Sequence, residues 1–171
     1  MKAKFKIITF CLLSSSFISC DQVTKKLAKD NLMYQGPTSY LNDLFRLEYA
    51  ENTGAALSLG ADLPQPFNFI LLSIIPLVFM LAVLAYVIIK MKDFSLLRLT
   101  AFALVFAGGI GNLIDRIFRD RHVTDFMNLG IHHIRTGIFN VADVCITAGV
   151  IVLFISYNKE QQLDAKGTRL T

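Results

Sequence analysis

One run, from Phe67 to Ile89, limits what this chain can fold into more than any other feature. Over about 23 residues it contains no Asp, Glu, Lys or Arg, and roughly 20 such residues in a helix span the ~30 Å hydrocarbon core of a bilayer. Leu99 to Ile114 is likewise uncharged, and Val141 to Tyr157 carries one charge, Asp143, near its start. A chain of 171 residues with 54% hydrophobic and only 18% charged residues is too apolar for a soluble domain of its size. It reads as one integral membrane domain.

The formal net charge of +4 does not indicate nucleic acid as a partner. Its basic residues flank the apolar runs, as orientation signals do, and form no patch or long tail. Cys11, Cys20 and Cys145 all lie in apolar runs without CxxC or Cys/His spacing, so neither a disulfide framework nor a zinc site is expected. No metal or cofactor is called for.

Lys2, Lys4 and Lys6 precede an apolar stretch that ends at Cys20. Two outcomes fit it: a signal peptide with a lipoprotein-like cleavage box at Cys20, or a retained first membrane helix over about 5–25. Residues 5–20 alone span only about 24 Å at ~1.5 Å per residue, so a retained helix has to run on through Asp21 and Gln22 into the interface, and DQVTKKLAKDNL can continue it as an interfacial turn or two. There Val23 and Leu27 face lipid at i, i+4 spacing and the lysines snorkel. The connection 26–66 contains LFRLEYAENTGAALSLG, whose alternation at Phe45, Leu47 and Tyr49 predicts short strands.

Further helices are expected over about 67–89, 96–116 and 140–157, with Pro76 as a simple kink in the second. A second outer connection covers 117–139, and 158–171 is a disordered cytoplasmic tail. Lys90, Lys92 and Arg98 make the short link after residue 89 the more densely basic one, which places both termini in the cytoplasm. The expected fold class is an all-α membrane protein: four transmembrane helices with a small extracytoplasmic β-sheet on the membrane surface.

Three acids then gather on one side of the bilayer: Asp115 at the end of one apolar run, Asp143 at the start of the next, and Asp125 between them. On a helix, Gly108, Gly111, Asn112 and Asp115 share one face. The glycines let a neighbouring helix approach, and Asn112 and Asp115 bond across the contact. Asp115 beside Arg116 is either a structural ion pair or part of a reactive site. Asn140 followed three residues later by Asp143 resembles a helix N-cap with an acid in the first turn. Yet an ionisable group at membrane depth is costly and is a functional candidate by default.

Two carboxylates brought together share a proton, and such a pair can hydrolyse an amide by general acid and base catalysis without metal or covalent intermediate. His122, His132 and His133 lack helical metal spacing and are expected to be solvated or interfacial. A proton-coupled carrier using the same acids is the alternative class, but it needs acids distributed through the membrane depth. Spacing does not say which two of the three acids pair.

Five blocks in order bear on that choice: Asp21-Gln22-Val23-Thr24-Lys25, Asn52-Thr53-Gly54-Ala55-Ala56, Gly108-Gly109-Ile110-Gly111-Asn112 with Asp115-Arg116, Val123-Thr124-Asp125-Phe126, and Phe139-Asn140-Val141-Ala142-Asp143. Together they resemble the bacterial lipoprotein signal peptidase family (signal peptidase II). That resemblance implies an aspartic endopeptidase of the bacterial inner membrane, with its active site at the extracytoplasmic face. It would act as a monomer among membrane lipids on prolipoproteins carrying a diacylglyceryl-modified cysteine, cutting before that cysteine. It implies Asp125 and Asp143 as the catalytic pair, with Asp21, Lys25, Asn52, Gly54, Asn112, Asp115, Arg116, Asn140 and Ala142 lining or bracing the site. The Asp21–Lys25 block argues for a retained first helix. Leu57, where the family often has an aromatic, and Thr124, where Val is frequent, are mild departures.

Overall fold

The computed structural model describes residues 3–55 and 58–167, with side chains of the last helix described through residue 157. Helix α1 (Ala3–Leu32) is followed by strands β1 (Thr38–Tyr40) and β2 (Phe45–Asn52). The next helix is interrupted: α2 (Gln65–Phe69) runs through one π-turn (Ile70–Ile74) into α3 (Ile75–Lys90). Helix α4 (Leu96–Phe118) leads to β3 (Val123–Ile131) and β4 (Ile134–Arg135), and α5 (Val141–Gly167) closes the chain. Among the described residues three helices are long and apolar enough to cross a membrane, at 3–32, 65–90 and 96–118, and a shorter apolar stretch covers Val141–Tyr157.

Several expected boundaries move. The first helix does not stop near residue 25 but continues to Leu32, with Val23 and Leu27 exposed as anticipated. Lys25 does not snorkel; it is fully buried, and of the lysines in that segment Lys26 and Lys29 are the exposed ones. The last helix does not end at 157 but runs on to Gly167, because SYNKEQQLDAK is rich in good helix formers; the rest of the expected tail, 168–171, lies outside the described residues. Leu57 also lies outside them. Pro76 directly follows the π-turn inside a continuous helical run, and the wider turn before it accommodates a residue that has no N–H to donate.

The bundle is held by close contact of small residues, since in lipid there is little hydrophobic drive between helices. A Cβ on Gly108 would lie 2.3 Å from the Ala142 carbonyl oxygen and 2.7 Å from Ile146 Cγ1. One on Gly149 would meet Val105 Cγ2 at 2.7 Å, so α4 and α5 touch backbone to backbone at two levels. At the opposite end from the acids, Phe10, Val87, Met91, Phe94, Leu99 and Ala103 form an apolar cluster. Lys6 Nζ donates there to the carbonyls of Lys92 and Phe94 at 2.8 and 2.6 Å, closing the α3–α4 turn.

The four strands form one antiparallel sheet in the order β1-β2-β3-β4. Between β2 and β3 the register shifts: Leu47 pairs with Met127, but Ala50 pairs with Asp125, which leaves one extra residue on β2. Because strand faces alternate with period 2, Asn52, opposite Val123, lies on the face that carries Asp125.

Gly108→Ala should force α4 and α5 apart and destabilise the protein by about 1–3 kcal/mol, read as a lower unfolding midpoint in detergent. Gly36→Ala, where a Cβ meets nothing within 4 Å, should leave the midpoint unchanged.

Candidate active site

Every residue singled out from the sequence for the site converges where the C-terminal half of α1, the end of α4, the start of α5 and strands β2 and β3 meet. Lys25 is at its centre. Its buried ammonium contacts Asp21 Oδ2 at 2.9 Å, Asp115 Oδ2 at 2.8 Å and Asn112 Oδ1 at 2.9 Å. Lys25 and Asp115 are 0% exposed and Asp21 is 1% exposed, and groups that would be costly to bury alone are here enclosed against one another.

Asp21 also reaches α5. Its Oδ1 accepts from the backbone N–H of Ala142 at 2.8 Å, satisfying one of the free donors that every helix N-terminus presents. A Cβ on Gly111 would stand 2.6 Å from Asp21 Oδ2 and 3.3 Å from Ala142 Cβ, which is why a glycine faces a small residue here. Asn140 and Asp143 form the anticipated capping box: Asn140 N donates to Asp143 Oδ2, and Asp143 N donates to Asn140 Oδ1, both at 3.0 Å.

Asp115 and Arg116 are not a pair. Asp115 is held by Lys25, by Gln22 Nε2 at 3.1 Å and by Arg119 at 3.3 Å, and its Oδ2 also accepts from Thr124 N at 3.4 Å. Adjacent residues on a helix point about 100° apart, so Arg116 turns the other way. Its Nη2 donates to the Gly54 carbonyl at 2.8 Å, while its buried Nε has no hydrogen-bond partner among the described residues. Gly54 is confined as well: a Cβ there would meet the Ser58 backbone at 2.4 Å.

Asp125 and Asp143 are bridged by Asn140. Its Nδ2 donates to Asp125 Oδ1 at 2.6 Å, while its backbone N–H serves Asp143. Asn52 Nδ2 donates to the other oxygen of Asp125 at 3.2 Å, and Asn112 Nδ2 to Asp143 Oδ1 at 2.8 Å. Burial, and then the neighbouring Asp143, push the Asp125 carboxyl up from 3.8 to about 6, against the hydrogen bonds from Asn140 and Asn52. Both acids open onto a cavity of about 540 Å³. Asn52, Asn112 and Arg116 line it beside the acids, and Leu71, Leu72, Pro76, Phe139 and Ile146 form an apolar wall.

Some of these contributors carried no assignment from sequence. Gln22 was visible inside a block but without a role; it donates to Asp115 and to the Gly111 carbonyl and accepts from Arg119. Arg119 lies i+4 from Asp115, a spacing that could have identified it. Asn68 pins the loop after β2 by donating to the carbonyls of Thr53 and Gly60, for which no local signal exists. His132 and His133 are exposed, as expected, beside a separate hollow at the β3–β4 turn.

A family model described as Signal peptidase (SPase) II matches residues 13–159. The chain belongs to the signal peptidase II family. It is therefore a peptidase rather than a carrier, in keeping with acids that converge at one end of the bundle. A lipoprotein signal peptidase of Geobacter sulfurreducens is 35% identical over 96% of this chain and 99% of its own length. One from Pelodictyon phaeoclathratiforme is 41% identical over 83% and 85%. A solved structure described as a bacterial membrane enzyme superposes with a TM-score of 0.77 at 30% identity, covering 91% of this chain and 90% of the other.

The raised Asp125 carboxyl fixes the sign of one pH dependence. Because the folded chain holds this proton more tightly than the unfolded chain, the contribution to stability is complete below about 3.8 and is lost as pH rises through about 6, on the order of 3 kcal/mol in all. The unfolding midpoint of the wild type should fall over that window relative to Asp125→Asn, in which the slope should flatten.

Proposed function

We propose that the chain removes signal peptides from lipoprotein precursors, cutting before a diacylglyceryl-modified cysteine, with Asp125 and Asp143 as the catalytic pair. In this proposal four helices cross the bacterial inner membrane, both termini are cytoplasmic, and the acids face the extracytoplasmic side. The enzyme works as a monomer embedded in lipid. The single observation that carries the assignment is Asn140, which hands one N–H to each acid inside one half-apolar cavity. Asp115, by contrast, is spent on Lys25, Gln22 and Arg119.

The chemistry follows from a pair that carries one proton. An ionised carboxylate takes a proton from a water molecule, and the water oxygen bonds to the scissile carbonyl carbon. The protonated partner gives its proton to the carbonyl oxygen, so that a neutral gem-diol forms. The acid that took the water proton then gives it to the amide nitrogen while the other carboxylate takes one from a gem-diol hydroxyl, so that the C–N bond breaks, signal peptide and lipoprotein are released, and the pair again holds one proton. A site with Asp125, Asp143 and Arg116 is neutral when the pair holds one proton, which favours that state in a buried place. The apolar wall beside the acids suits a substrate whose acyl chains remain in the bilayer.

Asp125→Asn and Asp143→Asn should each abolish cleavage of a lipidated precursor while the protein still accumulates in the membrane. Near-normal turnover by either variant would remove that residue from the pair, and equal cleavage of unlipidated precursor by wild type would remove the lipid requirement. Arg116→Ala should raise KM by about ten-fold at unchanged folding, since its unspent Nε is available to a substrate carbonyl.

A further inference from the structure

We infer that Lys25, although it lies behind the acids, is a positioning residue that acts through Asn112 to make Asp143 the carboxylate that activates water and leaves the catalytic proton on Asp125. The inference rests on the acid-pair assignment proposed above.

The polarity of the relay is forced by what each group can do. An ammonium only donates, so the Asn112 atom 2.9 Å from Lys25 Nζ must be the carbonyl oxygen. Asn140 Nδ2 donates to the same oxygen at 3.2 Å, and the orientation of Asn140 is itself set by the Asp143 backbone N–H on its Oδ1. The Asn112 amide nitrogen is therefore left facing Asp143 Oδ1 at 2.8 Å. A buried charge on α1 thus decides what a neutral amide on α4 presents to an acid on α5.

Each acid receives two N–H donors, yet the two are not equivalent. Asp143 lies in the first turn of α5, where the helix terminus favours negative charge. Its donors are the amide locked by Lys25 and a backbone N–H. Asp125 holds the longest of the four bonds, 3.2 Å to Asn52 Nδ2, and that nitrogen also serves the Ala55 carbonyl at 3.0 Å. Asp125 Oδ2 is accordingly the oxygen with most freedom to carry a proton. The upward push on its carboxyl agrees with this.

The test uses the full-length enzyme in detergent or vesicles with a diacylglyceryl-modified peptide as probe. Asn112→Leu should lower kcat by about 100-fold with KM changed less than about two-fold. Lys25→Met should produce a similar loss, and the double variant should lose no more, because two residues acting in series are non-additive. Asn112→Asp should cleave only at the acid end of the pH range, where its carboxyl can hold a proton and donate it to Asp143, and should fail as pH rises.

Wild-type kcat in Asn112→Leu overturns the inference, as do additive losses in the double variant or equal activity of Asn112→Asp at acid and alkaline pH. Should Lys25→Met fail to accumulate because Asp21 and Asp115 are left unpaired, the two Asn112 variants decide the matter. Asp125→Asn and Asp143→Asn run alongside. If either of them cleaves normally, the acid pair has failed; if both are dead while Asn112→Leu is unimpaired, the relay alone has failed.

Discussion

Lys25 carries its charge into a place with no exposed surface, between two carboxylates that are equally shut away. An ion so placed would cost many kcal/mol if left alone, and removing one partner of a buried pair typically costs ~3–5 kcal/mol. The arrangement is therefore all or nothing. Asp21 comes from α1 and reaches the backbone of α5; Asp115 comes from α4 and accepts from Thr124 at the head of β3. Helices that could slide past one another in lipid are fixed in depth and rotation by one cation.

The glycines and the ions solve complementary problems. Gly108 and Gly149 bring α5 against α4 closely enough for backbone to touch, and Gly111 leaves room for Asp21 and Ala142, which supplies the packing that a membrane otherwise provides weakly. Close approach alone would leave the start of α5 with unsatisfied N–H groups at membrane depth. Asp21, Asn140 and Asp143 take up those donors. Of these, Asp143 itself lines the cavity and Asn140 bridges it to Asp125, so the site draws on groups that the fold already requires.

Much of this was legible in the residues. Run lengths revealed the membrane helices, the i, i+3, i+4, i+7 pattern revealed the buried face of α4, and the Asn140/Asp143 spacing revealed the cap. The burial of Lys25 was not, since a lysine four residues after an acid looks the same whether it snorkels or is enclosed. Strand β3 was missed because Val123 to Phe126 are all buried, which erases the alternation that betrays a half-exposed strand. The π-turn before Pro76 has no sequence period of its own. Spacing left Asp115, Asp125 and Asp143 equivalent, and only the family resemblance separated them; the contact between Lys25 and Asp115 is one that no local pattern contains.

The bulge between Leu47 and Ala50 takes up one residue without disturbing the pairing that follows it. Removing Glu48 or Tyr49 would leave a regular ladder in which Asn52 still faces Val123 and keeps the side of Asp125. A residue removed between Ala50 and Asn52 would instead turn Asn52 over and leave Asp125 Oδ2 without its donor. The turn around Gly36, where added atoms would touch nothing, is another place where the chain can change length without consequence for the acids.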